Sequence, residues 1–339
     1  MVSISACLIV KNEEQVLERC LQCLQTIVDE IIIVDTGSSD NTKEIAKKYT
    51  NNVYDFEWVN DFAAARNFSF SKATKDYIYV ADADEVIDEE NIKKFLILKE
   101  TLIPEFDIVQ MLYTNQLLHN TTYNYDAEYR PKLYKRLRTF LWVDPLHEMV
   151  SLEPVIFDSD IEIIHMPTSN HVKRDFHIYK EAIKKHKMLS KKLNGMYARE
   201  LYIAGDVEDF KEAEPYFLEI MEKETDIDEI KKYQCVIAKA CLARHDFHEF
   251  FKVCLKNVAL NEASSEICYQ LGEYYYLAND YIEASLWYYN AAYETTPDLN
   301  IHYGGDYPLN RLADCYHMLG DITQEELYRK LADEWMIEG

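Results

Sequence analysis

Four short apolar runs in the first 85 residues, separated by stretches with helical periodicity, constrain the fold of this chain more than any other feature. Residues 3–10 (SISACLIV) are too few for a buried helix and read as a strand, and residues from about 14 to 25 place apolar side chains at helical intervals. The pattern repeats with EIIIVD at 30–35, a polar turn at 36–40, a helix at 41–49 that Ser39 or Asp40 is suited to cap, and a shorter apolar segment at 53–56. A helix at 61–73 and the run YIYVA at 77–81 complete the alternation, which ends on Asp82-Ala83-Asp84-Glu85. This spacing predicts an α/β domain with a mostly parallel sheet covered on both faces. Further strands are expected at 108–113, 132–134 and 161–165. Open α/β sheets bind ligands just past the carboxyl ends of their strands, and Asp35 and Asp82 stand at two such ends.

Glycine narrows the chemistry. Gly37 is the only glycine before Gly195, so neither a Walker A loop nor a GxGxxG turn can be written in the first half, and P-loop, kinase-type and ordinary dinucleotide readings are excluded. A formal net charge of −24, from 36 basic and 60 acidic residues, repels nucleic acid and anionic membranes. A phosphate-bearing ligand then needs a divalent cation or clustered basic side chains. No apolar run approaches the roughly 18 residues that span a bilayer, and no signal segment opens the sequence. A cytoplasmic protein with no nucleic-acid partner and no transmembrane segment is expected. The eight cysteines fall mostly among apolar residues, as free thiols in a reducing compartment do, and the lone pair Cys20 and Cys23 lies in a helical pattern that favours core packing over zinc.

From about residue 175 the pattern becomes helical throughout. Leu271, Gly272, Tyr275, Ala284, Tyr288, Ala291 and Pro297 have the spacing of a helix-turn-helix repeat. A step of 34 residues back from Gly272 reaches Ala238, with Cys241, Phe250 and Cys254 at matching core positions; a step of 41 forward reaches Ala313, then Tyr316 and Ala332, with 299–308 as an insertion. An earlier unit holds Leu201, Ala213 and Phe217. The array resembles the tetratricopeptide repeat. The expected division is an α/β domain at 1–174, a linking helix at 175–196 and an all-α repeat domain at 197–339. Lys173, Arg174, Lys180, Lys184, Lys185, Lys187, Lys191 and Lys192 read as a solvated helix face near the junction.

Four motifs in order, ACLIVKNEE at 6–14, IIIVDTGSSDNT at 31–42, ARN at 65–67 and YIYVADADE at 77–85, resemble the family 2 glycosyltransferases. That resemblance implies inverting enzymes of the GT-A fold, a Rossmann-like mostly parallel sheet, that use nucleotide-sugar donors. The attached repeats resemble a subgroup that includes the peptide glycosyltransferases of bacteriocin maturation. The implied reaction is metal-dependent transfer of a hexose from a UDP-sugar to a peptide or protein acceptor held partly by the repeats, with a homodimer as an allowed assembly. A surface-polysaccharide or lipid-linked acceptor, and a non-catalytic repeat scaffold, are the alternatives.

Carried over by position, the resemblance puts the nucleobase and ribose near Val10, Asn12, Glu13 and Asp35, and Arg66 near the diphosphate. Many members have two successive acids where this chain has Asp35-Thr36, so Thr36 must substitute for the second acid or the contact is lost. Asp82 and Ala83 belong to the nucleotide-sugar side, and Asp84, with Asp82, to the metal. Hard carboxylate oxygens two residues apart at a strand end suit Mg²⁺ or Mn²⁺ bound partly through phosphate. His165, at the end of an apolar strand, is an acceptable further ligand for Mn²⁺. An inverting transfer needs a base for the acceptor. The segment 130–136 followed by 142–148 resembles the acceptor side of the subgroup, with Glu148 as the expected base and Asp144 in reserve.

Overall fold

The computed structural model describes residues 1–114, 127–150, 154–166, 172–186, 188–260 and 262–335, with the side chains of 172–174 and 186 outside that description. Lys187 and the side chains of Lys173 and Arg174 therefore lie outside the described part of the basic stretch. The chain forms two compact units, Met1–Ala182 and Ile183–Gly339.

The first unit opens with strand β1 (Ile4–Val10), helix α1 (Leu17–Ile27), β2 (Glu30–Asp35), α2 (Thr42–Lys47), β3 (Val53–Asp55), α3 (Phe62–Phe70) and β4 (Tyr77–Ala81). It continues through β5 (Glu85–Val86), α4 (Glu89–Thr101), β6 (Ile108–Thr114), β7 (Glu128–Lys135), β8 (Trp142–Val143), β9 (Met149–Val150), β10 (Ile156–His165) and the greater part of α5 (Val172–His186). The main sheet has the order β3-β2-β1-β4-β7-β6-β10-β5. β1 runs parallel to β2 and β4, β2 to β3 and β6 to β10, while β7 pairs antiparallel to β4 and β6, and β5 to β10. The expected mostly parallel sheet is present. β1, β2 and β4 are buried along almost their whole length because helices cover both sheet faces.

Local chemistry sets the helix starts. Asp61 and Asp88 cap α3 and α4 by accepting the backbone N–H of Ala64 and Asn91 at 2.9 and 2.8 Å. At α2, Asp40 accepts from Thr42 N at 3.0 Å, although Asn41 holds the cap position itself. Helix α1 turns Leu17, Cys20, Leu21, Leu24 and Ile27 into the core, which places Cys20 among packed side chains as its spacing suggested.

The second unit is helical throughout its described elements: α6 (Lys191–Ala204), α7 (Val207–Met221), α8 (Ile227–Ala243), α9 (Phe247–Val258), α10 (Ser265–Leu277), α11 (Tyr281–Tyr289), α12 (Asp306–Leu319) and α13 (Ile322–Glu334). Asp206, Asp246, Asp280 and Asp321 cap α7, α9, α11 and α13. Before the last three of these caps His245, Asn279 and Gly320 adopt left-handed backbone, so one short turn chemistry closes successive helix pairs. A Cβ on Gly272 would stand 2.6 Å from the Tyr288 ring, which is why α10 carries glycine there. The chain between α11 and α12 is held by buried Glu266, whose carboxylate accepts the N–H groups of Asp298, Leu299 and Asn300 at 3.0, 2.7 and 3.0 Å. The helix after this insertion starts at Asp306, so Pro308 lies within α12.

Candidate active site

The acid group occupies the turn between β4 and β5, and its backbone is held from several directions. Asp82 O accepts from Glu85 N at 3.2 Å and from Cys20 Sγ at 3.3 Å. Asp84 O accepts from Met166 N at 3.1 Å and from Arg19 Nη2 at 3.5 Å, and the same Arg19 nitrogen donates to Met166 O. Ala83, between the two acids, faces the core. Each acid meets a different cationic or imidazole group: Asp82 Oδ1 lies 3.8 Å from Arg66 Nη2, Asp84 Oδ2 lies 3.1 Å from His165 Nε2, and buried Glu85 pairs with buried Lys132. Burial pushes the Glu85 carboxyl up to about 7 against the pull of Lys132, with Asp82 and Asp84 adding repulsion. Burial also raises Asp82, but Lys132, Arg66, Arg130 and His165 outweigh it and hold that carboxyl below its ordinary value.

Of the three expected metal ligands the fold brings Asp84 and His165 together, while Asp82 turns toward Arg66. Among the described residues the one set of three ligand-type groups within 4.8 Å of one another is Cys235, Glu266 and Asp298 in the second unit. That set is structural: Lys231 and Ser264 engage Asp298, and backbone N–H groups engage Glu266.

The residues expected on the nucleotide side lie where β1 and β2 end together. Asp35 is 1% exposed, and its Oδ1 accepts from Gly37 N and Ser38 N, both at 2.9 Å, closing a turn that Gly37 permits with φ +102°. Asp35 Oδ2 is buried with no hydrogen-bond partner among the described residues. Thr36 donates both its N–H and its hydroxyl to Val10 O, at 3.0 and 3.2 Å, so its hydroxyl proton ties β2 to β1. Asn12 has left-handed backbone, donates to Ser38 Oγ at 2.9 Å and accepts from Ser39 N at 2.8 Å. Glu13 N donates to Thr42 Oγ1 at 2.7 Å. Val10, Asn12, Glu13, Asp35 and Thr36 thus share one interlocked pair of loops.

The residues expected on the acceptor side, Asp144 and Glu148, sit on the loop joining β8 to β9. Glu148 Oε1 accepts from Arg66 Nε at 3.1 Å and Nη2 at 2.8 Å. The buried Arg66 guanidinium lies 5.3 Å from the Trp142 ring centroid. Burial disfavours its charge, but Glu148 and Asp82 more than compensate and raise its pKa. Asp144 and His147 both have left-handed backbone, with φ of 72° and 48°. Arg19 and Lys132 were not singled out for the acid turn by the sequence. Lys132 lies in the basic segment at 130–136, but burial on β7 opposite Glu85 has no local signature.

Residues 5–152 match the family model described as glycosyl transferase family 2. They form a family 2 glycosyltransferase domain. Over 183 residues the chain is 28% identical to the SPbeta prophage-derived glycosyltransferase SunS of Bacillus subtilis, covering 50% of this chain and 42% of that protein. A stretch of 85 residues is 45% identical to a TPR repeat-containing protein of Synechococcus elongatus, covering 25% of this chain and 21% of that protein. The chain thus spans less than half the length of these curated relatives. Glucosyl-3-phosphoglycerate synthase from Mycobacterium tuberculosis, solved with Mg²⁺ and UDP, is 16% identical with a TM-score of 0.39, covering 54% of this chain and 77% of that one. No described helix is long and apolar enough to cross a membrane. In this chain the motifs of the family 2 domain fall at the strand ends and loops described above.

Proposed function

We propose that this chain transfers a hexose from a UDP-sugar to a peptide or protein acceptor with inversion, using Mg²⁺ or Mn²⁺. The observation that carries the reading is the approach of His165 Nε2 to Asp84 Oδ2, 3.1 Å apart across 81 positions, at the carboxyl end of β4. Two ligands at about 2.1 Å from one ion stand about 3 Å apart, so an imidazole nitrogen and a carboxylate oxygen at this separation fit a divalent cation. Asp84 and His165 would hold it, with Asp82 joining by turning from Arg66. The ion would offset charge on the departing diphosphate.

The chain's own groups divide the remaining work. Buried Asp35, with one oxygen already fixed by Gly37 and Ser38, offers its other oxygen to the nucleoside. Glu148 takes the proton of the acceptor heteroatom as that atom bonds to the anomeric carbon, and the bond from that carbon to the UDP oxygen breaks with its electron pair on the leaving group. Tetratricopeptide-like helix pairs suit an extended peptide acceptor.

The test is a panel of nucleotide sugars with and without Mn²⁺. One UDP-sugar should raise the melting temperature and release UDP only with metal. No shift and no UDP with any donor would sink the proposal.

A further inference from the structure

We infer that Arg66 is a positioning residue for the Glu148 carboxylate rather than a contact of the donor diphosphate. The inference rests on the reading of Glu148 as the base. Helix α3 acts as a template for the loop at 142–148. Phe62 N donates to Pro145 O at 2.9 Å, Asn67 Nδ2 donates to Trp142 O at 3.0 Å, and Trp142 N donates to Asn67 Oδ1 at 2.9 Å. Arg66 lies between these two anchors and reaches Glu148 with two N–H groups of its fork.

Three features separate this role from phosphate binding. Arg66 is 8% exposed, and two of its fork's N–H groups, on Nε and Nη2, are already directed at Glu148. Both bonds to Glu148 fall on Oε1, so the second carboxylate oxygen is not engaged by Arg66 and can take a proton while the first is held. The held loop turns through left-handed backbone at Asp144 and His147, residue types that adopt it more readily than most, and it is tied to α3 on both sides of Asp144, at Trp142 and Pro145. A base must stand within hydrogen-bond reach of the proton it removes, so fixing one oxygen of the carboxylate fixes the direction of the other. A planar guanidinium does this better than an ammonium, which offers a point charge without the fork.

The experiment uses the full chain with UDP-glucose and Mn²⁺ as probes, reading UDP binding by calorimetry and UDP release by hydrolysis, with melting curves as the fold control. If Arg66 positions the base, Arg66→Met binds UDP within about threefold of wild type and loses roughly as much turnover as Glu148→Gln. The double variant loses no more than either single, and Arg66→Lys recovers part of the rate. UDP binding weakened tenfold or more in Arg66→Met, with turnover at saturation little changed, would return Arg66 to the diphosphate and overturn the inference. Losses that add in the double variant would overturn it too, since independent effects add. Wild-type turnover in Glu148→Gln alone would remove the base reading and this role with it, while leaving metal-dependent UDP release in place.

Discussion

His165 Nε2 stands 3.1 Å from Asp84 Oδ2 because β10 runs antiparallel to β5, with His165 opposite Glu85 in register. The imidazole at the end of one strand is thereby delivered to the acid turn that closes another. Asp84→Ala should abolish UDP release while leaving the melting temperature within a few degrees, since the carboxylate, a quarter exposed on a turn, packs against little besides His165. His165→Ala should keep measurable turnover but need a higher Mn²⁺ concentration for half-saturation, by about tenfold or more. A metal titration of both variants checks this, and an unchanged half-saturation point in His165→Ala would remove His165 from the metal.

Glu148→Gln keeps the shape of the side chain and still offers a carbonyl oxygen to Arg66. Turnover should fall by roughly 10² to 10⁴ with donor affinity nearly unchanged. Steady-state kinetics in donor give both quantities, and a raised donor constant at full turnover contradicts the assignment.

Asp144, the reserve base, has φ of 72°. Glycine adopts that backbone without steric cost, so Asp144→Gly should leave stability unchanged or raise it by up to about 1 kcal/mol. Turnover should stay near wild type. A loss as deep as that of Glu148→Gln would transfer the base role to Asp144.

Lys239 in the helical unit donates to Tyr303 Oη at 3.1 Å and lies over the rings of Tyr202 and Phe210. Burial pulls its ammonium down to about 8 from an ordinary 10.5. Between those values the unfolded chain binds more proton than the folded one, so stability should rise as pH increases from about 8 to 10.5. The cost of burying the charged form is fully present below pH 8. Urea midpoints across this range should show the rise in wild type and a smaller one in Lys239→Met; parallel curves would refute it.

Gly272→Ala places a methyl 2.6 Å from the Tyr288 ring. Tyr288 is fully buried and its hydroxyl donates to Glu273 at 2.6 Å, so the ring cannot move freely. A loss of about 1 to 3 kcal/mol is expected for such overpacking, read as a lower denaturation midpoint; a neutral change would show that α10 and α11 can separate.

Pattern alone was enough for the alternating elements, the switch to helix pairs and the acid turn, because helix and strand periods and capping residues are local properties. The strand at 77–81 was legible to the residue, since five buried apolar side chains followed by Asp82 leave no other reading. The motif at 6–14 and the turn at 36–40 were legible as a strand running into a loop and as a strand-end turn. Their interlock through Asn12 and Ser38 was not, because that bond joins residues 26 apart.

What only the tertiary structure decided are the partners of charges. Asp82, Asp84 and Glu85 look equivalent in sequence, yet sheet order gives them Arg66, His165 and Lys132 respectively. Arg66 lies 82 positions from Glu148, and nothing local to α3 signals that pairing. Burial against Trp142 and the path of the loop after β8 turn it inward. Periodicity reports which face of an element is apolar, but which acid meets which base depends on strand order, and strand order is a property of the whole sheet.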